Sequence, residues 1–144
     1  MKRTLVALTI LALALPGCAI FKKKIVMDDV MVKKDQIDQA NNPARQLVLK
    51  QELGNRCIVL KDLVVKDVTE SSNIDYDFCV VVDAPTKKGT VECYVYSKSI
   101  KKIAQLDKGK TKIDVSGEFG RFFTSLDTNA VKLEIIKASV TIKK

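Results

Sequence analysis

The feature that most constrains the fold is a change of hydrophobic period at residue 56. From Arg56 to Val68 the chain is rich in β-branched residues and long enough for one bent strand. Further strand-like segments follow after a loop over residues 69–74, with apolar and polar side chains alternating, at residues 76–82, 90–96, 112–119 and 131–142. In the last segment the phase changes at Ile135-Ile136, which predicts a bulge or a corner.

One stretch between the third and fourth of these strands breaks the alternation. In Ser99–Leu106, the residues Ile100, Ile103 and Ala104 have helical spacing, and Ser97 or Ser99 can serve as the N-cap. Residues 56–144 therefore have the order β-β-β-α-β-β. We predict an all-β fold with small α content: a five-stranded OB-type barrel with a helix between strands 3 and 4, preceded by a short helical lead-in.

Three motifs support this prediction: Val59-x-Lys61-Asp62-Leu63-x-Val65, Val91-x-Cys93-x-Val95, and Leu106-x-x-Gly109-x-x-x-Ile113-x-Val115-x-Gly117. They resemble the tRNA-anticodon-binding-like OB family of exported bacterial proteins, and the resemblance implies a helical segment before the barrel. The sequence departs from the family in having no glycine in the middle of the first strand, where such barrels often bend. The family name records a structural likeness and does not imply tRNA binding.

Two segments precede the predicted barrel. Residues 18–34 have mixed charges and short apolar patches, and we interpret them as a lipidated tether. Residues 35–55 form the helical lead-in: Asn42 is a suitable N-cap, Pro43 suits the first helical position, and Gly54-Asn55 ends the helix. The run Leu47-Val48-Leu49 also fits a strand, and a shorter helix around Asp35–Ala40 is expected before it.

The first 17 residues are typical of a signal peptide. A positive start is followed by the apolar stretch Leu5–Leu15, which is shorter than the roughly 20 residues that span a bilayer as a helix. Leu15-Pro16-Gly17-Cys18 resembles the lipobox of bacterial lipoproteins, with Pro16 as a departure from the commoner Ala or Ser. The resemblance implies cleavage before Cys18 and fatty acylation there. The alternative is an ordinary secretory signal with a chance cysteine.

The resemblance also implies a location and a membrane partner. The lipid on Cys18 would hold the chain at the cell envelope. Because Ala rather than Asp follows at position 19, a Gram-negative host would place it in the outer membrane, facing the periplasm. Residues 18–144 carry 23 Lys plus Arg and 17 Asp plus Glu, a net charge of +6, which suits a solvated basic surface or an anionic contact.

Composition argues against catalysis. The chain contains no histidine, which excludes a histidine general base, a histidine triad and a His-ligated zinc site. It has no G-x-S-x-G motif and no glycine-rich phosphate loop. Asp75, Asp77 and Asp83 alternate along one predicted strand face, where solvent is their expected surrounding. We therefore expect no enzyme, no cofactor and no metal site.

Three cysteines remain beyond Cys18, and an odd number leaves at least one thiol free. A turn centred on Thr86 would place Cys79 opposite Cys93. Their phases differ, however, since Cys93 alternates with Val91 and Val95 while Cys79 is out of phase with Phe78 and Val80. We predict that the two cysteines face different sides and form no bond. The disulfide status of all three (Cys57, Cys79 and Cys93) is otherwise open.

The ligand face of an OB barrel lies on its second and third strands, beside the first–second and fourth–fifth strand loops. The candidate binding residues there combine aromatic rings with basic side chains: Tyr94, Tyr96, Lys87, Lys88, Arg121, Phe122 and Phe123, the last three assigned to the last loop. The alternative is structural, with the tyrosines covering the sheet or a helix, and the phenylalanines folding over the barrel end.

These observations favour a binding or interaction module at the bacterial cell envelope, with an envelope protein or component as partner, because exposed aromatic residues often anchor interfaces. A second class is a binder of anionic ligands such as single-stranded nucleic acid, anionic glycan or a small anion. Nucleic acid is the less expected of these outside the cytoplasm. A structural envelope protein without a ligand is the third.

Overall fold

The computed structural model describes residues 22–144, so the predicted signal peptide and Cys18 lie outside the described residues. Along the chain the elements are β1 (Lys23–Ile25), α1 (Met27–Gln39), α2 (Pro43–Gly54), β2 (Arg56–Glu70), β3 (Phe78–Thr86), β4 (Gly89–Tyr96), α3 (Ile100–Ile103), β5 (Lys112–Thr124) and β6 (Val131–Ile142). The predicted five strands correspond to β2–β6, with α3 between the third and the fourth.

Strands β2 to β6 form one closed barrel. The strand order is β2-β3-β4-β6-β5, and β5 pairs back onto β2. The β4–β6 pair is parallel, with Cys93 opposite Leu133, and the other pairs of the barrel are antiparallel. This connectivity is that of an OB-type barrel, so the predicted fold class is confirmed.

The bend of β2 occurs at Asp62, which has a φ of 58°. Short polar residues such as Asp adopt this left-handed conformation more readily than other non-glycine residues, and the Asp62 N–H is held by Asp114 Oδ1 at 2.7 Å. Asp62 thus adopts the left-handed conformation that a glycine often provides in the first strand of such barrels. The register with β5 shifts here, between Leu60 and Leu63.

The bulge at Asp62 also changes which side chains face the interior. Ile58 and Leu60 are buried before it, and Leu63 and Val65 after it. Unbroken alternation along the motif Val59-x-Lys61-Asp62-Leu63-x-Val65 predicts that Val59 shares the core face of Leu63, and this prediction is wrong because the bulge resets the phase. The phase change predicted in β6 is present, with Leu133 and Ile135 buried before Lys137 (φ 48°) and Ala138 and Val140 buried after it.

The N-terminal segment differs from the expected tether over residues 18–34. From residue 22 onward it belongs to the folded domain: β1 lies parallel to the start of β2, with Ile25 beside Ile58. Helix α1 begins at Met27, well before the expected short helix at 35–40, and it buries Met27, Val30 and Ile37 against the barrel end.

Helix α2 is the predicted helix and not a strand. Asn42 caps it by accepting a hydrogen bond from the Ala44 N–H at 2.8 Å, and Pro43 occupies the first turn. Leu53 is fully buried, whereas Leu47 and Val48 are more than half exposed. None of the three helices within residues 22–144 combines the length and the apolar content needed to cross a bilayer.

The register of the β3–β4 hairpin determines how Cys79 and Cys93 lie relative to each other. Its turn is centred on Lys87-Lys88 rather than on Thr86, so Val82 is opposite Cys93 and Cys79 is opposite Tyr96. Cys93 points into the barrel, whereas Cys79 packs outside it with Tyr96. Both are free, buried thiols, which confirms that they face different sides and are not bonded. Burial raises the pKa of Cys79 to about 11 and that of Cys93 to about 12.

Candidate binding site

Tyr94 and Tyr96 lie on the outer face of β4, but only one of them is available for binding. Tyr96 is 2% exposed, with its ring 5.5 Å from that of Tyr76, in a small cluster that includes Cys79 and Val81. Its ring is therefore covered in the structure and is not part of an exposed binding surface. Tyr94 is half-buried and contacts Phe123 edge to face at 5.2 Å between ring centroids.

Lys87 and Lys88 do not form a rim beside these tyrosines. They occupy the tip of the β3–β4 hairpin, at the opposite end of β4 from Tyr96. There they contact α1: the Lys87 N–H donates to Asp28 Oδ1 at 2.8 Å, and Lys88 Nζ pairs with Asp35 at 2.6 Å. These two lysines position the helix against the hairpin, which the sequence pattern did not reveal because residues 28–34 were interpreted as tether.

Arg121, Phe122 and Phe123 belong to β5 and not to the last loop. The strand runs on to Thr124, with Phe122 opposite Leu133 and Phe123 opposite Lys132. A register shift between Phe119 and Phe122 spans Gly120, where a Cβ would lie 3.0 Å from the Glu134 carbonyl oxygen. A side chain here would crowd the neighbouring strand, so the glycine favours this close approach next to the irregular register.

The three phenylalanines of β5 line a groove between this strand and the helical hairpin. Phe119 and Phe122 contact each other at 4.9 Å and pack partly on the core, and Phe123 lies further along the same wall. The groove has a volume of about 640 Å³. We call it the aromatic groove; its lining residues are Lys34, Ile37, Asp38, Gln46, Lys50, Gln51, Gly54, Phe119, Gly120, Arg121, Phe122, Phe123, Thr124 and Val131.

The helical wall of the aromatic groove was not anticipated from the sequence. Lys34 pairs with Asp38 along α1, and its Nζ lies 5.6 Å above the Phe122 ring. Lys50 on α2 faces the groove and is exposed, with no carboxylate partner among residues 22–144. A signal was present: Met27, Val30, Lys34 and Ile37 are spaced for one face of a helix.

A network of charges surrounds Tyr94 at the edge of this groove. Glu92 pairs with Lys132 at 2.7 Å and also with Lys66, and it accepts a hydrogen bond from the Tyr94 hydroxyl at 3.0 Å. The hydrogen bond from Lys132, followed by that from Lys66, lowers the pKa of Glu92 to about 2. Lys132 Nζ also lies 5.4 Å above the Tyr94 ring. These contacts fix the tyrosine, and the opposite charges of the network neutralise one another.

Arg121 joins the network to the groove. It is bound to Glu134 at 2.9 Å, and its guanidinium carbon lies 5.8 Å from the centre of the Phe123 ring. Glu134 is only 7% exposed, whereas the Arg121 side chain is 68% exposed. The buried carboxylate therefore holds an exposed cation over an aromatic ring, an arrangement that suits contact with a partner.

The carboxylates and thiols near the groove are bound to partners or buried. The carboxyl groups of Glu92 and Glu134 are committed to cations, and the two thiols with raised pKa values are protonated at neutral pH. Asp75 and Asp77 precede β3 while Asp83 lies within it and pairs with Lys66, so the three do not form one site. Within residues 22–144, no group of three or more Cys, Asp or Glu residues is placed to hold a metal ion.

Of the seven predicted site residues, the structure brings Arg121, Phe122, Phe123 and Tyr94 together and separates Lys87, Lys88 and Tyr96 from them. No protein-family model matches the chain, and no curated protein matches it either.

Proposed function

We propose that this chain is a lipoprotein of the bacterial cell envelope whose OB-type barrel binds an envelope protein through the aromatic groove. The anchor rests on the signal-like first 17 residues and on the resemblance of Leu15–Cys18 to a lipobox. The binding role rests on the groove.

The observation that carries the proposal is an open groove in which three phenylalanines of one strand meet an exposed arginine. Phe119, Phe122 and Phe123 line one wall, and Arg121 extends from it. A volume of about 640 Å³ falls within the range of sites that bind small molecules or a few side chains. Aromatic residues and arginine are the residue types that contribute most binding energy at protein interfaces.

The charges favour a protein partner over a polyanion. Lys34 is paired with Asp38, and Arg121 with Glu134, so most of the positive charge around the groove is already compensated. Binding to nucleic acid or an anionic glycan requires cations that can neutralise the ligand's own charge. Lys50 is the one lining cation without a carboxylate partner in the described part of the chain. We therefore rank the anionic ligand second.

The first test places a photo-crosslinking residue at Lys50 in the intact chain, in living cells. Lys50 is exposed and lines the groove, so its replacement leaves the fold unstrained. We expect a discrete protein adduct on irradiation. The control carries the probe at Lys110, an exposed residue at the far end of the barrel, and should give no such adduct. Equal adducts from both positions, or none from Lys50, would contradict a protein-binding groove.

A matched pair of variants then tests the aromatic wall. Phe123→Ala removes a ring that lines the groove, and we expect the Lys50 adduct to fall by about tenfold, as for a contact residue that contributes about 1.4 kcal/mol. Val64→Ala removes an exposed apolar side chain on β2, outside the groove, and should leave the adduct unchanged. Retention of the adduct in Phe123→Ala, with the barrel folded, would place the binding surface elsewhere.

The anchor needs its own test. We expect metabolic labelling with radioactive palmitate to mark the wild-type chain and not Cys18→Ser, and mass spectrometry to find a mature N-terminus at Cys18. An unlabelled wild type with an unmodified cysteine would instead indicate the ordinary secretory signal.

A further inference from the structure

Along the chain, the described part of the domain reaches almost to the predicted lipid attachment site. Strand β1 starts at Lys23 and is paired with β2. The Lys22 side chain is fixed as well, because its Nζ donates to the Gly54 carbonyl at 3.2 Å and pairs with Glu118 at 2.9 Å. The chain is therefore fixed to the barrel from residue 22 onward.

Only three residues lie between Cys18 and Lys22, so four residue steps join them. A fully extended chain covers at most about 3.6 Å per residue, so Lys22 lies within about 14 Å of a lipid attached to Cys18. This distance is smaller than the diameter of the barrel domain itself. Lipidation at Cys18, which belongs to the function proposed above, would hold the Lys22 end of the barrel at the bilayer surface.

That end carries a continuous group of lysines. Glu118 bridges Lys22 and Lys137, at 2.9 and 3.2 Å. Lys137 in turn lines a surface depression of about 720 Å³ together with Lys98 and Lys102. Lys98 Nζ lies 5.9 Å from the centre of the Tyr76 ring, and both residues line the depression.

Few acidic groups oppose these cations. Asp75 is the one carboxylate that lines the depression, and Glu118 is shared by two lysines. Within the described residues, Lys98 and Lys102 have no carboxylate partner. A second surface depression differs, because two of its lining lysines, Lys112 and Lys143, lie within 4 Å of the carboxylate of Asp62.

We propose that the lysine-rich end is a binding surface for anionic lipid headgroups and sets the orientation of the barrel on the membrane. We define this end by its cations: Lys22, Lys23, Lys24, Lys98, Lys102 and Lys137. Unpaired lysines next to a lipid anchor attract an anionic bilayer, and their attraction adds to that of the acyl chains. Because Lys22 is fixed to the barrel and lies only four positions after Cys18, the domain has little freedom to turn this surface away.

The test uses the mature lipidated chain in vesicles of phosphatidylcholine, either pure or mixed with phosphatidylglycerol. Lysines are labelled with an amine-reactive reagent, and the rate at each lysine is measured by peptide mass spectrometry. On the anionic vesicles we expect Lys98 and Lys102 to react at least about fivefold more slowly than on the neutral ones, and 1 M salt to abolish the protection. Lys110, which lines a different depression, should react equally on both.

A charge-reversal pair supplies the control. Lys98→Glu with Lys102→Glu should abolish the protection of Lys137 by anionic vesicles, whereas Lys110→Glu with Lys144→Glu, equal in charge change and in a different depression, should preserve it. Equal reactivity of Lys98 and Lys102 on both vesicle types would overturn the proposal.

These outcomes are separable from those of the function proposed above. The Lys98→Glu, Lys102→Glu chain should still give the Lys50 adduct, and the Phe123→Ala chain should still show the lysine protection. A mature chain whose mass shows no lipid on Cys18 would overturn the anchor and this orientation together, while leaving the groove adduct as a separate result.

Discussion

Tyr94 and Tyr96 are two residues apart on the same face of one strand, yet their surroundings are opposite. Tyr96 is 2% exposed because Tyr76 lies over it, and Tyr76 is held there by the Lys137 N–H, which donates to its hydroxyl at 2.9 Å. Tyr94 has no such cover. Its ring contacts Phe123 and Lys132, and its hydroxyl is bound to Glu92.

The difference shows that alternation along a strand assigns a side chain to a face but does not say what covers that face. Tyr96 is fixed by burial, in an apolar cluster with Cys79 and Val81. Tyr94 is fixed by charges at the edge of an open groove. Burial is insensitive to salt and acid, whereas ion pairs respond to both, and this distinction can be tested.

The largest difference is expected in stability. Tyr96→Ala removes a buried ring and leaves a cavity under Tyr76, so we expect the free energy of unfolding to fall by about 3–4 kcal/mol. Tyr94→Ala removes a half-exposed cross-strand contact, and the expected loss is about 1 kcal/mol. Urea unfolding followed by circular dichroism measures both. Equal losses would mean that Tyr76 does not cover Tyr96 in solution.

The cover itself can be removed in a second experiment. Tyr76→Ala uncovers the cluster, and we expect the alkylation rate of Cys79 to rise by about tenfold, which corresponds to easier local opening by about 1.4 kcal/mol. Cys93 lies inside the barrel and serves as the internal control. Peptide mass spectrometry after a pulse of iodoacetamide reports the two rates separately. A parallel rise at Cys93 would indicate global loosening instead of a removed cover.

The buried positions could be predicted from the sequence in those strands where apolar and polar residues alternate without a break. The β4 alternation of Val91, Cys93 and Val95 predicted their burial correctly, because β4 contains no bulge. In β2 the same reasoning misplaced Val59, since a left-handed Asp62 resets the phase and the sequence signals this only through an Asp that tolerates the conformation. The number of strands and their order follow from the pattern of the whole segment, so one misplaced side chain does not change them.

The site was less predictable because it is made of long-range contacts. Arg121, Phe122 and Phe123 were chosen for their residue types, although they were assigned to a loop; Gly120 permits a close approach that extends β5 past the expected end. The helical wall was missed where mixed charges in residues 27–34 suggested a tether. Those charges are partners for the hairpin, as Asp28 and Lys87 show, and such pairing has no local signature.

The last prediction concerns acid, and it separates the two tyrosines by mechanism. The pKa of Glu92 is about 2 in the folded chain and has its ordinary value of 4.5 when unfolded, because Lys132 and Lys66 favour the ionised carboxylate. Its contribution to stability is therefore complete above pH 4.5 and is lost as the pH falls from 4.5 to 2. After allowing for solvent screening, we expect about 1–2 kcal/mol at pH 6.

Glu92→Gln tests this directly. The difference in unfolding free energy between wild type and variant should be largest near pH 6 and should shrink steadily towards pH 2, where Glu92 is protonated in the unfolded chain and about half protonated in the folded one. The penalty of Tyr96→Ala, which arises from burial, should be the same at both ends of this range. If acid reduced the Tyr96→Ala penalty and not the Glu92→Gln one, the assignment of burial to one tyrosine and charge to the other would be reversed.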